Sequence, residues 1–97
     1  MNCQYLKMTM DSCDFKLMSF NVRGLRCSKK RHSIFRFIKR KCIDVCLVQE
    51  AHCTIKDENT WKNEWGGEVY YSHGGRDSRG VMILVKNGLD FKLNNVV

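Results

Sequence analysis

Two short apolar segments that favour extended backbone, separated by a basic stretch of helical length, constrain this chain more than any other feature. Phe15 to Val22 (F-K-L-M-S-F-N-V) sets Leu17 against Met18 and Phe20 on alternate sides, a strand pattern that ends at the turn residue Gly24. Ile43 to Gln49 (I-D-V-C-L-V-Q) is almost continuously apolar and β-branched at Ile43, Val45 and Val48, which fits a strand buried on both faces. Between them, Ser28 stands where it can cap a helix running to about Lys41. Ile34, Phe35, Ile38 and Cys42 share one face of that helix, and basic residues fill the other. A strand–helix–strand unit of this size predicts two parallel neighbours joined by a right-handed crossover.

The second half of the chain alternates in the same manner. Asp57 to Trp65 reads as a short helix, with Trp61 and Trp65 one turn apart and Gly66-Gly67 stopping it. Glu68 to Ser72 and Gly80 to Val85 read as a hairpin whose tip, His73 to Arg79, is extended and basic. A turn at Asn87-Gly88 leads to a last strand, about Asp90 to Leu93. Tyr70 and Tyr71 alternate faces, so one of them belongs to the core. The order predicts an α/β (α+β) layered fold, a mixed sheet with a basic helix packed on it. Residues 1–14 form an N-terminal extension and residues 15–97 the domain. Because Val96-Val97 follows directly on a strand, the expectation is a fold cut short.

The chain's 97 residues allow one domain, and a hydrophobic share of 43% excludes wholesale disorder. No apolar run approaches the roughly 18 residues of a spanning helix. Gln4, Lys7, Thr9, Asp11 and Ser12 interrupt the start of the chain, unlike a secretory signal. The expectation is a nuclear or cytoplasmic protein with no membrane partner, its six cysteines reduced. A zinc site at Cys42, Cys46, His52 and Cys53 is disfavoured, since Cys42-x3-Cys46 is not a tight pair and spans a helix-to-strand junction.

Two polar residues end the two strongest strands, Asn21 and Glu50. In open α/β sheets, ligands bind outside the carboxyl ends of the strands. A carboxylate there can hold Mg2+, which favours oxygen ligands, and an amide can donate to a phosphate or a carboxylate oxygen.

Ser19-Phe20-Asn21-Val22-Arg23-Gly24-Leu25, then Leu47-Val48-Gln49-Glu50-Ala51-His52, then Ser78-Arg79-Gly80-Val81-Met82-Ile83-Leu84 resemble, in order, three motifs of the endonuclease/exonuclease/phosphatase family. That family includes exonuclease III, apurinic endonucleases and DNase I, and the likeness is closest to the endonuclease domains of LINE-type (non-LTR) retrotransposons. The resemblance covers about Phe15 to Leu93. It implies the N-terminal half of a DNase I-like, exonuclease III-like sandwich whose second sheet is largely missing. It also implies Glu50 as a metal ligand for Mg2+ (or Mn2+), weakly held, and Asn21 as an active-site amide. Gln49 matches a structural glutamine. Ala51 departs from the usual Thr. Arg23 stands where apurinic endonucleases carry Asp, which removes an acidic neighbour of the metal. The family's later Tyr, Asp-x-Asn and Asp-His groups have no match here, so the chain alone is expected to be inactive or nearly so. His32, His52 and His73 do not occupy the general-base position.

Arg23, Arg26, Lys29, Lys30, Arg31, Arg36, Lys39, Arg40 and Lys41 carry more positive charge than the chain's net +7, with no acid among them up to Ile43. Lys29, Lys30, Arg36, Lys39 and Arg40 line a stripe opposite Ile34 and Ile38. The expected partner is DNA, or RNA, held through its phosphate backbone with strong salt dependence. The contacts expected for it are Arg23, Arg26, Lys29 and Lys30, with Arg76 and Arg79 at the hairpin tip. Two other functions stay open: a non-catalytic nucleic-acid-binding remnant, and a phosphatase acting on another phosphoester. With a second sheet absent, Met82, Leu84 and Val45 are expected on an exposed apolar face.

Overall fold

The computed structural model describes residues 2–10, 13–72 and 80–88. Five strands form one mixed sheet: β1 (Asn2–Met10), β2 (Cys13–Asn21), β3 (Val45–Gln49), β4 (Glu68–Ser72) and β5 (Val81–Val85). Their spatial order is β1-β2-β3-β5-β4. β2 and β3 are parallel, Leu17 opposite Val45 and Asn21 opposite Gln49. All other pairings are antiparallel. This is the expected α/β arrangement. The strand β1, paired along its whole length with β2, lies in the segment taken as an extension. The expected last strand, Asp90 to Leu93, lies outside the described residues.

Alternation decides what packs where. Met18, Phe20 and Val22 from the β2 segment, Cys46 and Val48 from β3, and Met82 and Leu84 from β5 are all buried on one face. Two helices cover that face, α1 (Ser28–Arg40) and α2 (Glu58–Trp65). α1 supplies Ile34, Phe35 and Ile38, and α2 supplies Trp61 and Trp65. Trp65 also solves its polar problem, its indole N–H donating to the Val85 carbonyl at 2.8 Å. Gly66 ends α2 in the left-handed conformation (φ 84°), its N–H returning to Lys62 O at 2.9 Å. Of the tyrosine pair, Tyr71 is half-buried and donates its hydroxyl to Glu58 O at 2.9 Å, while Tyr70 is exposed.

The face expected to be bare is therefore partly corrected. β5 runs antiparallel to β3 with Met82 opposite Val48 and Leu84 opposite Cys46, so both lie under the helices. Val45 does lie on the other face, with Leu17, Ser19, Leu47 and Ile83, all half-buried, and the exposed Val81. One face of β3 is thus covered more fully than the other, rather than both being deeply buried.

Three details of α1 also differ from expectation. Cys27 holds the N-cap position and Ser28 is the first helical residue, not the cap. Cys42 is exposed rather than on the buried face, because the chain turns left-handed there (φ 55°) and leaves the helix. Arg31, counted with the basic run, is buried instead. At this end of the sheet Asp44 ties the elements together: its carboxylate accepts from Lys16 N at 2.8 Å and its carbonyl from Lys86 N at 2.9 Å.

Candidate active site

The opposite end of the sheet is built by two loops that continue the β2–β3 pairing. Past the strand ends, Val22 N donates to Gln49 O (3.1 Å), Gly24 N to Glu50 O (2.6 Å) and Leu25 N to Ala51 O (3.0 Å). This zipper fixes the two side chains of interest. Asn21 Nδ2 donates to Glu50 Oε2 at 2.6 Å, and Asn21 Oδ1 accepts the Arg23 backbone N–H at 3.2 Å. Amide orientation and carboxylate position are thereby set together, and both residues are half-buried.

Strict alternation would turn Glu50 away from Asn21, since Asn21 pairs with Gln49. Glu50 breaks it with φ 55°. Among the described residues only four non-glycines have positive φ, and three of them, Arg23 (53°), Glu50 and His52 (60°), stand at this rim. Such conformations cost of order 1–3 kcal/mol each and concentrate at functional sites.

His52 packs across to the other loop. A Cβ added at Gly24 would lie 3.0 Å from His52 Nδ1, and Gly24 itself has φ +92°, so this position needs glycine twice over. His52 Nε2 is buried and finds no hydrogen-bond partner among the described residues. The ring therefore faces the loop, not solvent, and its contact with Gly24 was invisible in sequence.

A second feature missed in the sequence holds the rim from behind. Arg31 Nε and Nη2 grip Glu64 Oε1 and Oε2 at 2.6 and 2.9 Å, and Nη1 donates to Leu25 O at 3.0 Å and to Arg26 O at 3.4 Å. Its guanidinium lies 5.2 Å from the Trp61 ring centre. His32 Nε2 shares Glu64 Oε2 at 2.6 Å. Hydrogen bonding from Arg31, opposed by burial and aided by His32, holds the Glu64 carboxyl down to about 2. Arg31 thus ties α2 to the loop carrying Arg23 and Arg26. The signal was present: Arg31 precedes Ile34, Phe35 and Ile38 by 3, 4 and 7, the spacing of the buried face.

Arg23, Arg26 and Lys29 are exposed beside the rim, and Lys30 is half-buried with its Nζ donating to Arg23 O at 3.4 Å. Arg76 and Arg79 lie outside the described residues, as does His73. The cysteines do not gather: Cys46 lies in the sheet, Cys42 at the far end of α1 and Cys53 beyond the rim, and no cluster of three metal-ligating groups exists among the described residues. One carboxylate with a neighbouring amide is a donor set that would suit a hard cation such as Mg2+ only if the cation kept most of its waters.

A protein of Xenopus laevis described as the "Transposon TX1 uncharacterized 149 kDa protein" is 29% identical over 68 residues, 70% of this chain. The chain spans only 5% of the length of that relative. Residues 18–95, from the middle of β2 through the rim and β5, match the model of the Endonuclease/Exonuclease/phosphatase family. The chain belongs to that family.

Proposed function

We propose that the rim is part of a Mg2+-dependent (or Mn2+-dependent) endonuclease site that hydrolyses DNA phosphodiester bonds, of the kind a LINE-type retrotransposon uses. The observation that carries this reading is the contact of Asn21 with Glu50 at the strand ends, amid three left-handed residues. Glu50 would hold the cation, which when bound offsets charge on the phosphate and the leaving oxygen. Asn21 orients the Glu50 carboxylate and is placed to donate to a phosphate oxygen that reaches the rim. Arg23, Arg26, Lys29 and Lys30 draw the DNA backbone toward it without reading sequence.

Hydrolysis also requires a base for water. Among the described histidines, His32 is engaged by Glu64 and His52 is packed on Gly24. The rim by itself is therefore expected to bind far better than it cuts. Supercoiled plasmid with about 5–10 mM Mg2+, the weak range for a single carboxylate, tests both halves. A Mg2+-dependent gain in DNA binding, over the binding the basic side chains give in EDTA, that Glu50→Ala removes, with nicking near background, supports the proposal. DNA binding indifferent to Mg2+ and to Glu50→Ala overturns it, and strong Glu50-dependent nicking overturns the expected weak catalysis.

A further inference from the structure

α1 carries charge where packing alone would not put it. Its first turn has no acidic residue, although a helix N-terminus favours anions, and its last turn adds Lys39 and Arg40. Not all of this charge faces outward, because Arg31 is buried and committed to Glu64. Two of the other cations, Arg36 and Lys39, line a groove of about 340 Å³ between α1 and α2, together with His32, Phe35 and Glu64. The one carboxylate in it is already bound by Arg31 and His32. Lys39 lies 5.3 Å over the Trp65 ring and donates to the Glu64 carbonyl at 3.4 Å. Among the described residues no carboxylate pairs with Arg36 or Lys39. The groove is a cationic surface whose acid has been neutralised from inside.

We infer that this groove and the adjoining row of α1 form a second nucleic-acid-binding surface, gripping phosphate backbone at a distance from Asn21 and Glu50. The inference rests on the reading that the chain acts on nucleic acid. Lys29, Arg36 and Lys39 recur at intervals of 7 and 3 along one side of the helix. At 1.5 Å per residue the row is about 15 Å long, roughly four phosphates of one strand along a duplex axis. It begins beside the rim, where Lys30 meets Arg23, and runs to the other end of the sheet, where Lys16 Nζ meets Lys41 O at 3.4 Å. Continuity with the exposed Arg23 and Arg26 favours nucleic acid. A lipid surface is disfavoured, since the apolar side of α1 faces the sheet and its outward side offers one large ring, Phe37, set edge-on to Phe20 at 6.0 Å with Lys41 over it.

The test is binding of a labelled random-sequence DNA duplex by the full chain in EDTA, across a range of salt. Two double variants remove the same charge: R36Q/K39Q in the groove and K56Q/K62Q on exposed positions elsewhere. R36Q/K39Q is expected to weaken binding several-fold and make the log–log salt slope shallower by about 1.8, while K56Q/K62Q leaves both nearly unchanged. Equal losses in the two variants, or no loss in R36Q/K39Q, would overturn the inference. So would displacement of the labelled duplex by poly-glutamate at a lower charge concentration than unlabelled duplex requires, which would point to an acidic protein. Since no metal is present, this outcome is independent of whether Glu50→Ala abolishes Mg2+-dependent binding at the rim.

Discussion

Asn21 and Glu50 stand 29 positions apart in sequence, yet the amide of one donates to the carboxylate of the other at 2.6 Å. Parallel pairing of β2 with β3 brings their backbones level, and the left-handed turn at Glu50 brings the side chains together. The pair tolerates one negative charge. Asn21→Asp would place two carboxylates in contact, and such a pair resists double ionisation. The variant is expected to melt several degrees lower than wild type near neutral pH without divalent cation. Millimolar Mg2+ should restore part of the loss, as thermal melts with and without the ion would show.

The Arg31–Glu64 grip makes stability depend on acid. The Glu64 carboxyl is depressed from 4.5 to about 2 in the folded chain, chiefly by its bonds to Arg31. A depressed acid stabilises the folded state above its unfolded value, so its contribution is complete above pH 4.5 and fades as pH falls through about 2. The amount at stake is on the order of 2 kcal/mol. Glu64→Gln should abolish this part of the acid slope and, by removing the counter-charge of a buried guanidinium, cost about 3 kcal/mol at neutral pH in urea unfolding.

Gly24 is the narrowest point of the rim. Gly24→Ala meets both an unfavourable φ and the His52 ring, with an expected cost of about 2 kcal/mol. In the double variant with His52→Ala, the crowding is relieved and only the backbone cost persists, so the two substitutions should be less than additive. A denaturation cycle measures the coupling.

The thiols divide by position. Cys27, exposed at the α1 N-terminus, is held below the ordinary 9.0 by the backbone N–H groups of Lys30 and Lys29. Burial pushes Cys46 and Cys53 up to about 12. Thiolate is the reactive form. Disulfide-exchange labelling at mildly alkaline pH should therefore modify Cys27 in the native chain and reach Cys46 and Cys53 only on unfolding.

What the sequence made legible was local. The unit β2–α1–β3 could be read because its periodicities lie within single segments, and α2 because Trp61, Trp65 and Gly66 mark its face and its stop. β1 could not, since its place depends on pairing with β2 and its polar residues blur the alternation. Alternation also names two faces of β5 without saying which one the helices cover, so Met82 and Leu84 were assigned to the wrong one. Asn21 and Glu50 were recognisable as polar residues closing apolar strands. Arg31 carried the helical spacing of the buried face but was masked by the charge run around it, and His52 was placed by a left-handed turn that residue types alone do not announce.

The central proposal is that Glu50, oriented by Asn21, holds a divalent cation at this rim. Its most direct test is an NMR titration of the labelled chain with Mg2+, following the Asn21 side-chain amide and the Gly24 backbone amide. The account predicts saturable millimolar shifts confined to this rim in wild type and absent in Glu50→Gln. Shifts that persist unchanged in Glu50→Gln, or none at the Asn21 amide, would contradict it.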